Sequence, residues 1–241
     1  MSKLIGLGVG PGDPDYVTVK GVKAIKVADV IFVPVGNTGD PGYAEEIVRH
    51  YAPRDNIVRL PFELGNWADD YEERRLAWDE AAKPVIEALN EGKQCLFATI
   101  GDPNVYATFT YLARAVSRAR PETEIETIPG IMAMQAVASA SGTVICEDRQ
   151  TVALMPLTLG MPAYVDALET HDTVVAYKGG RKISEIRDAV ANAGRLNDVV
   201  FGAKLGHPDQ VVTRNLPDEA PYLSTVIVSR GRLHLDGHEA S

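Results

Sequence analysis

Apolar positions along this chain alternate between short continuous runs and stripes at helical spacing. Residues 3–9 (Lys-Leu-Ile-Gly-Leu-Gly-Val) read as a short buried strand, closed by the Gly/Pro/Asp-rich stretch from Gly10 to Asp15. Val19, Val22 and Ile25 then recur every three residues before Asp29, and Val30-Ile31-Phe32-Val33 reads as a second strand that Pro34 ends. The chain therefore opens on a β-loop-α-β unit. From Asp69 to Glu91 the residues Tyr71, Trp78, Ala82, Val85 and Leu89 share one stripe, which predicts a long helix kinked or restarted at Pro84. Gly92 stops it, and Gln94 to Ile100 is an apolar run of strand length, cut off by Gly101-Asp102-Pro103. The helical pattern resumes from Tyr106 to Ser117.

The polar stretch Arg118-Ala119-Arg120-Pro121-Glu122-Thr123 separates two apolar segments and predicts a domain boundary, giving domains 1–120 and 121–241. Beyond it come a strand from Glu124 to Ile128, a Pro129-Gly130 turn and a small-residue helix from Ile131 to Ser141. Strands follow near 151–155, 173–177 and 198–203, with helices near 162–170 and 181–193. From Val211 to Leu235 the strands have no helices between them, which predicts antiparallel pairing at that end. The expected class is α/β, in two domains.

Composition narrows this picture. The 241 residues are 45% hydrophobic and 24% charged, ordinary usage for a folded chain. No apolar run reaches the roughly 18–20 residues of a membrane span. Met1-Ser2-Lys3 leads straight into a strand without a signal-peptide pattern, so a cytoplasmic location and no membrane partner are expected. Cys95 and Cys146 lack both the number of a disulfide framework and the spacing of a metal site; both read as core thiols, and no metal is expected. A net charge of −9 argues against a nucleic-acid partner, which calls for a basic stripe. An acidic ligand needs a local basic patch.

Three turns carry candidate chemistry. Gly6-Leu7-Gly8-Val9-Gly10-Pro11-Gly12-Asp13-Pro14 has the glycines of a dinucleotide loop, but the places of the third glycine hold Pro11 and Asp13. A tight turn without a ligand fits these residues equally well. Gly101-Asp102-Pro103-Asn104-Val105-Tyr106 sits at the carboxyl end of an apolar strand, where open α/β sheets place ligands; its plain alternative is a turn with an Asx cap. Pro129-Gly130, before an alanine-rich helix, is by itself a turn.

In this order and spacing the three turns resemble the tetrapyrrole methylase family. Thr18-Val19-Lys20-Gly21-Val22-Lys23-Ala24-Ile25 with Ala28-Asp29-Val30-Ile31 is similar to the family's first helix and second strand, and the resemblance runs nearly the length of the chain. It implies two α/β domains with S-adenosyl-L-methionine in the cleft between them, and a homodimer. It further implies that Gly101, Asp102, Pro103, Val105 and Tyr106 form the cofactor loop and that Pro11 faces substrate and cofactor. Met132 and Ala133 stand where the family often carries Thr-Ser, and Tyr177, Lys178 and Thr225 fall where it lines the cofactor's adenosine end. Within the family the resemblance is to precorrin-2 C-20 methyltransferases. It rests on Trp67 to Trp78 leading into Asp79-Glu80-Ala81-Ala82, on Thr99 to Pro103 running into Ala107-Thr108-Phe109-Thr110-Tyr111-Leu112, and on Ile145-Cys146-Glu147-Asp148. Ala203-Lys204 departs from the Glu-Arg pair usual there.

The reaction so implied is attack of an electron-rich ring carbon on a sulfonium methyl group, which needs positioning and a proton acceptor but no protein nucleophile. The absence of a Ser/His/Asp or Cys/His constellation agrees. His50, His171, His234 and His238 read as surface residues and His207 as a loop residue. Asp102 is the expected catalytic carboxylate; the alternative is that it only orders the cofactor loop. Precorrin-2 or its cobalt complex carries many carboxylates, so cations are needed, and Arg149, Lys178, Arg181 and Lys204 are the candidates. Competing readings are a methylase acting at another ring carbon and a tetrapyrrole-binding protein without catalysis.

Overall fold

The computed structural model describes residues 2–36, 41–52, 55–62, 71–157 and 160–230. The start of the long helix at Asp69, the segment from Trp67 to Asp70, the tail residues through Leu235, and His234 and His238 lie outside them. The chain divides into two units, Met1–Met132 and Ala133–Ser241. The division does not fall at Arg118–Thr123, as the sequence suggested. The strand β5 (Glu124–Ile128) beyond that stretch pairs in parallel with β1 (Lys3–Gly8), so it belongs to the first unit.

The first unit is built on a five-stranded parallel sheet in the order β3-β2-β4-β1-β5, where β2 is Val30–Val35, β3 is Ile57–Pro61 and β4 is Cys95–Thr99. Every residue of β4 is buried, because helices cover both faces. Its alternate side chains feed two cores. Cys95 and Phe97 pack with α3 (Tyr71–Asn90) and α4 (Phe109–Ala119), while Leu96 and Ala98 pack with α1 (Val19–Val27) and α2 (Tyr43–Tyr51). Each such large side chain contributes about 1.5–3 kcal/mol by leaving water.

Pro34 does not end β2. The Ile31 N–H donates to Asn56 on the β3 side, so alternation turns the Pro34 nitrogen towards β4, where pairing has already stopped at Phe32. Pro84 likewise sits inside α3, whose Ala81, Ala82, Val85 and Leu89 are buried and hold the helix across the missing N–H. Neither α2 nor β3 was anticipated. Glu45 explains part of this: it is fully buried on α2, an acidic residue at a core position, paired with Arg49 at 2.8 Å and with Arg59 of β3 at 2.7 Å. The Arg59 guanidinium, more than that of Arg49, holds the Glu45 carboxyl below its usual range against the opposing effect of burial.

The second unit carries α5 (Ala133–Ser141), β6 (Val152–Pro156), α6 (Pro162–Thr170), β7 (Thr173–Tyr177), α7 (Ile183–Asn192), β8 (Val199–Ala203), β9 (Val211–Thr213) and β10 (Ser224–Ser229). Its sheet runs β6-β7-β10-β8-β9, parallel only between β6 and β7. The pairings of β10 with β7 and β8, and of β8 with β9, are antiparallel, as the tail pattern predicts. Buried Arg195 ties this unit together. Its guanidinium donates to the carbonyls of Leu168 (2.8 Å), His171 (3.2 Å), Asp172 (2.7 Å) and Val228 (3.3 Å), joining the end of α6 to β7 and β10.

Among the described residues no helix is long and apolar enough to cross a membrane, and no group of three His, Cys, Asp or Glu is placed to hold a metal. The two cysteines differ, against the expectation of two core thiols. Cys95 is buried and its thiol is pushed up to about 11, whereas Cys146 is exposed because its segment precedes β6 on the surface. A thiol reagent at pH 8 is therefore expected to titrate Cys146 alone in the native protein and both residues after denaturation. Rapid reaction of both in the native state would contradict the burial of Cys95.

Candidate active site

Three of the first unit's parallel strands, β1, β4 and β5, end side by side, and each runs into one of the glycine turns. The turns are stitched by backbone. Val9 donates to the Thr99 carbonyl at 3.0 Å, and Gly101 donates to the Gly10 carbonyl at 2.9 Å, forming an isolated antiparallel bridge beyond the strands. Gly8, Gly101 and Gly130 meet at closest approach. A Cβ added to Gly8 would overlap the Gly101 carbonyl oxygen and lie 2.6 Å from the Gly130 nitrogen; one added to Gly130 would overlap the same oxygen and lie 2.7 Å from the Gly8 Cα. Only glycine fits at these two places.

Gly101 is glycine for another reason. Its φ is +70°, and a Cβ there would meet nothing within 4 Å. The turn leaves open space beside its backbone, as a loop approached by a ligand requires. Tyr106, which ends the motif, also has a positive φ of 49°, a strained state for a bulky residue. It is 44% exposed, and the burial of its remainder raises its phenol above the usual tyrosine range. Pro103 and Pro11 are buried, and Val105 is half-buried.

Asp102 is half-buried and spans two turns. One carboxylate oxygen accepts the Asn104 N–H at 2.8 Å within its own loop, and the other accepts the Gly130 N–H at 3.0 Å after β5. The first contact is an Asx turn, and a second Gly-Asp-Pro of the chain, Gly12-Asp13-Pro14, repeats it: Asp13 accepts the Asp15 N–H at 2.9 Å and caps a short 3₁₀ turn. What distinguishes Asp102 is its second bond, to Gly130. With both oxygens engaged by backbone N–H groups, the geometry assigns it the job of holding two loops together, and its remaining lone pairs are all it has for a proton.

A second group of expected residues lies in the other unit. The Tyr177 hydroxyl at the end of β7 accepts the Met134 N–H at 3.1 Å, satisfying a free donor in the first turn of α5. Buried Thr225 pairs with Tyr177 on one side and Gly202 on the other, where a Cβ would overlap Val137 of α5. Lys178 has a φ of 59°, and burial lowers its ammonium below the usual lysine range. Met132, the last residue of the first unit, and Ala133, the first of α5, are both half-buried. Of the other proposed cations, Arg149 and Arg181 are exposed, and Lys204 is paired with Asp209 of its own loop. His50 is exposed at the end of α2, and His171 and His207 are half-buried after α6 and β8. The role of Gly130 as an acceptor of close backbone packing was missed in the sequence, although the recurrence of glycine at three strand ends signalled it.

A family model described as Tetrapyrrole (Corrin/Porphyrin) Methylases matches residues 3–221. The chain belongs to this family. Among its relatives, a protein of Salmonella typhimurium named cobalt-precorrin-2 C(20)-methyltransferase is 28% identical over 95% of this chain and 96% of its own. A protein of Sinorhizobium sp. named precorrin-2 C(20)-methyltransferase is 30% identical over 95% of each. The fold is that of solved methylases. A cobalt precorrin-4 methyltransferase matches with a TM-score of 0.71 at 21% identity over 94% of each chain. A uroporphyrin-III C-methyl transferase from Thermus thermophilus, complexed with S-adenosyl homocysteine, matches with a TM-score of 0.67 at 16% identity over 94% of this chain and 97% of its own.

The two glycine roles separate experimentally. Gly130→Ala forces three backbone turns apart and is expected to cost about 2–3 kcal/mol, as overpacking does. Gly101→Ala costs only the strain of its positive φ, about 1–2 kcal/mol. Urea unfolding of the two variants tests this, and an equal or reversed order would show that the turns are not packed as described.

Proposed function

We propose that the chain is an S-adenosylmethionine-dependent methyltransferase that transfers a methyl group to C-20 of precorrin-2, in its metal-free or cobalt-bearing form, in cobalamin biosynthesis. The supporting observation is that relatives matched over 95% of both chains carry that regiochemistry in their names. The cosubstrate supplies an electrophilic methyl carbon on a sulfonium. The new bond forms between that carbon and C-20, the carbon–sulfur bond breaks with its electron pair going to sulfur, and C-20 afterwards loses its proton.

The Gly101–Tyr106 loop fits such a ligand, because the space beside the Gly101 Cα is open while the neighbouring glycines are packed against backbone. Backbone groups of this loop hold the cosubstrate, Pro11 closes the adjoining turn, and Asp102 fixes the loop through Asn104 and Gly130. The residues contribute orientation, and holding two reactants in line can lower a barrier by ~7–11 kcal/mol. The reading carries with it a homodimer and a cytoplasmic location.

Two measurements test it. Incubation with methyl-labelled cosubstrate and either metal-free or cobalt precorrin-2 is expected to place the label at C-20 by NMR; label at another carbon, or none with either substrate, would overturn the assignment. Asp102→Asn separates the residue's roles. An amide keeps one acceptor and turns an NH2 towards a backbone donor, so one loop bond is lost. The expected result is a raised KM for the cosubstrate with kcat within about tenfold of the parent, whereas loss of a general base lowers kcat by about 10²–10⁴.

A further inference from the structure

In the first unit, α4 and β5 border an open groove of about 510 Å³ that shares only Asn104 with the glycine turns. Phe109, Ala113 and Ile125 floor it, and Asn104, Arg114 and Arg118 stand at its rim. The helix arranges the rim, since Thr110, Arg114 and Arg118 are successive i, i+4 positions on one face of α4. Arg118 is held by Asp79 of α3 at 2.5 Å, and Asp79 also binds Arg75 at 3.1 Å. Arg114 is exposed and has no hydrogen-bond or ion-pair partner among the described residues, in a chain whose net charge is −9.

The groove is continuous with the candidate active site through one residue. The Asn104 N–H is fixed by Asp102 inside the Gly101–Tyr106 loop, while its side-chain amide donates to the Thr127 hydroxyl of β5 at 3.3 Å, on the groove wall. A molecule seated against the loop thus has an apolar channel beside it, lined with hydroxyls and ending at an uncompensated guanidinium. That suits a ligand with flexible carbon chains tipped by carboxylates.

We propose that this groove receives carboxylate side chains of the tetrapyrrole substrate, with Arg114 as the residue that binds them; the inference rests on the substrate class given under Proposed function. The methylene stems lie on Phe109, Ala113 and Ile125, and the carboxylate reaches Arg114. None of the four cations singled out from the sequence is in this groove.

The test uses the full chain and two porphyrin probes, an octacarboxylic free-base porphyrin and its octamethyl ester, titrated by fluorescence. The native protein is expected to bind the acid, and Arg114→Gln to weaken that binding about fivefold, the scale of one partly exposed charge pair. Arg114→Glu weakens it further. Ser117→Trp, a substitution at an exposed lining position, fills the groove and weakens acid binding with Arg114 intact. Ester binding is expected to be unchanged in both Arg114 variants. Failure of the native protein to bind the acid, equal binding by Arg114→Gln, or an equal loss for the ester would each overturn the inference. Acid binding that depends on Arg114 in a protein that does not methylate precorrin-2 would overturn the proposed reaction and leave the groove standing; C-20 methylation with an unchanged KM in Arg114→Gln would do the reverse.

Discussion

The candidate site depends on one steric constraint, the contact of backbone with backbone where three parallel strands end. Neighbouring strands of a sheet run nearly 5 Å apart, and side chains ordinarily fill the space beyond their ends. Here Gly8 and Gly130 remove them, so that the Gly101 carbonyl enters between the two turns. The bridge from Gly10 to Gly101 and the bond from Val9 to Thr99 then carry hydrogen bonding past the last residues of β1 and β4. The loop that results is defined by main-chain atoms, and the open side of Gly101 is what remains accessible to a ligand.

Asp102 belongs to the same construction. A carboxylate at the carboxyl end of a central strand suggests chemistry when read as sequence, but its two oxygens meet the N–H groups of Asn104 and Gly130. Asp13, in the same Gly-Asp-Pro setting, makes only the local bond. The comparison isolates what Asp102 adds: a cross-link between the turn after β4 and the turn after β5. Leaving the half-buried Gly130 donor unpaired costs about 1–3 kcal/mol, which by itself gives the aspartate a structural reason to be there.

Much of this was legible in the sequence because local pattern and tertiary position agreed. The run Cys95 to Thr99 is apolar because both faces of β4 are covered, and Glu124–Ile128, Thr173–Tyr177 and Val199–Ala203 were read at or within a residue of their observed limits. Where tertiary partners override local pattern, the reading failed. Glu45 places a charge in the core that Arg49 and, from another element, Arg59 make tolerable, so α2 and β3 were not seen. Pro34 looked like a stop because its neighbour on the β4 side, absent beyond Phe32, is not visible in sequence. The polar stretch at 118–123 looked like a domain boundary, yet it is the end of α4 and the turn that follows it into an edge strand paired with the first strand of the chain. The three glycine turns were legible in the sequence because they recur as motifs, whereas the groove beside Arg114 is formed by α4 and β5 together and has no local sequence signal.

A loop fixed by main-chain packing also accounts for how little side-chain identity the fold demands. The match to a solved methylase at a TM-score of 0.71 persists at 21% identity. For an in-line displacement this is the economical arrangement. The rate depends on placing two carbons and a sulfur within a near-attack geometry, and a misplacement of about 1 Å costs on the order of 10²-fold. Flexible side chains hold such a geometry poorly, whereas turns packed as closely as those at Gly8, Gly101 and Gly130 are stiff without restricting the residues around them. Under the proposed function, substrate selection then falls to positions outside the turns, where a change of charge or volume leaves the reacting geometry intact.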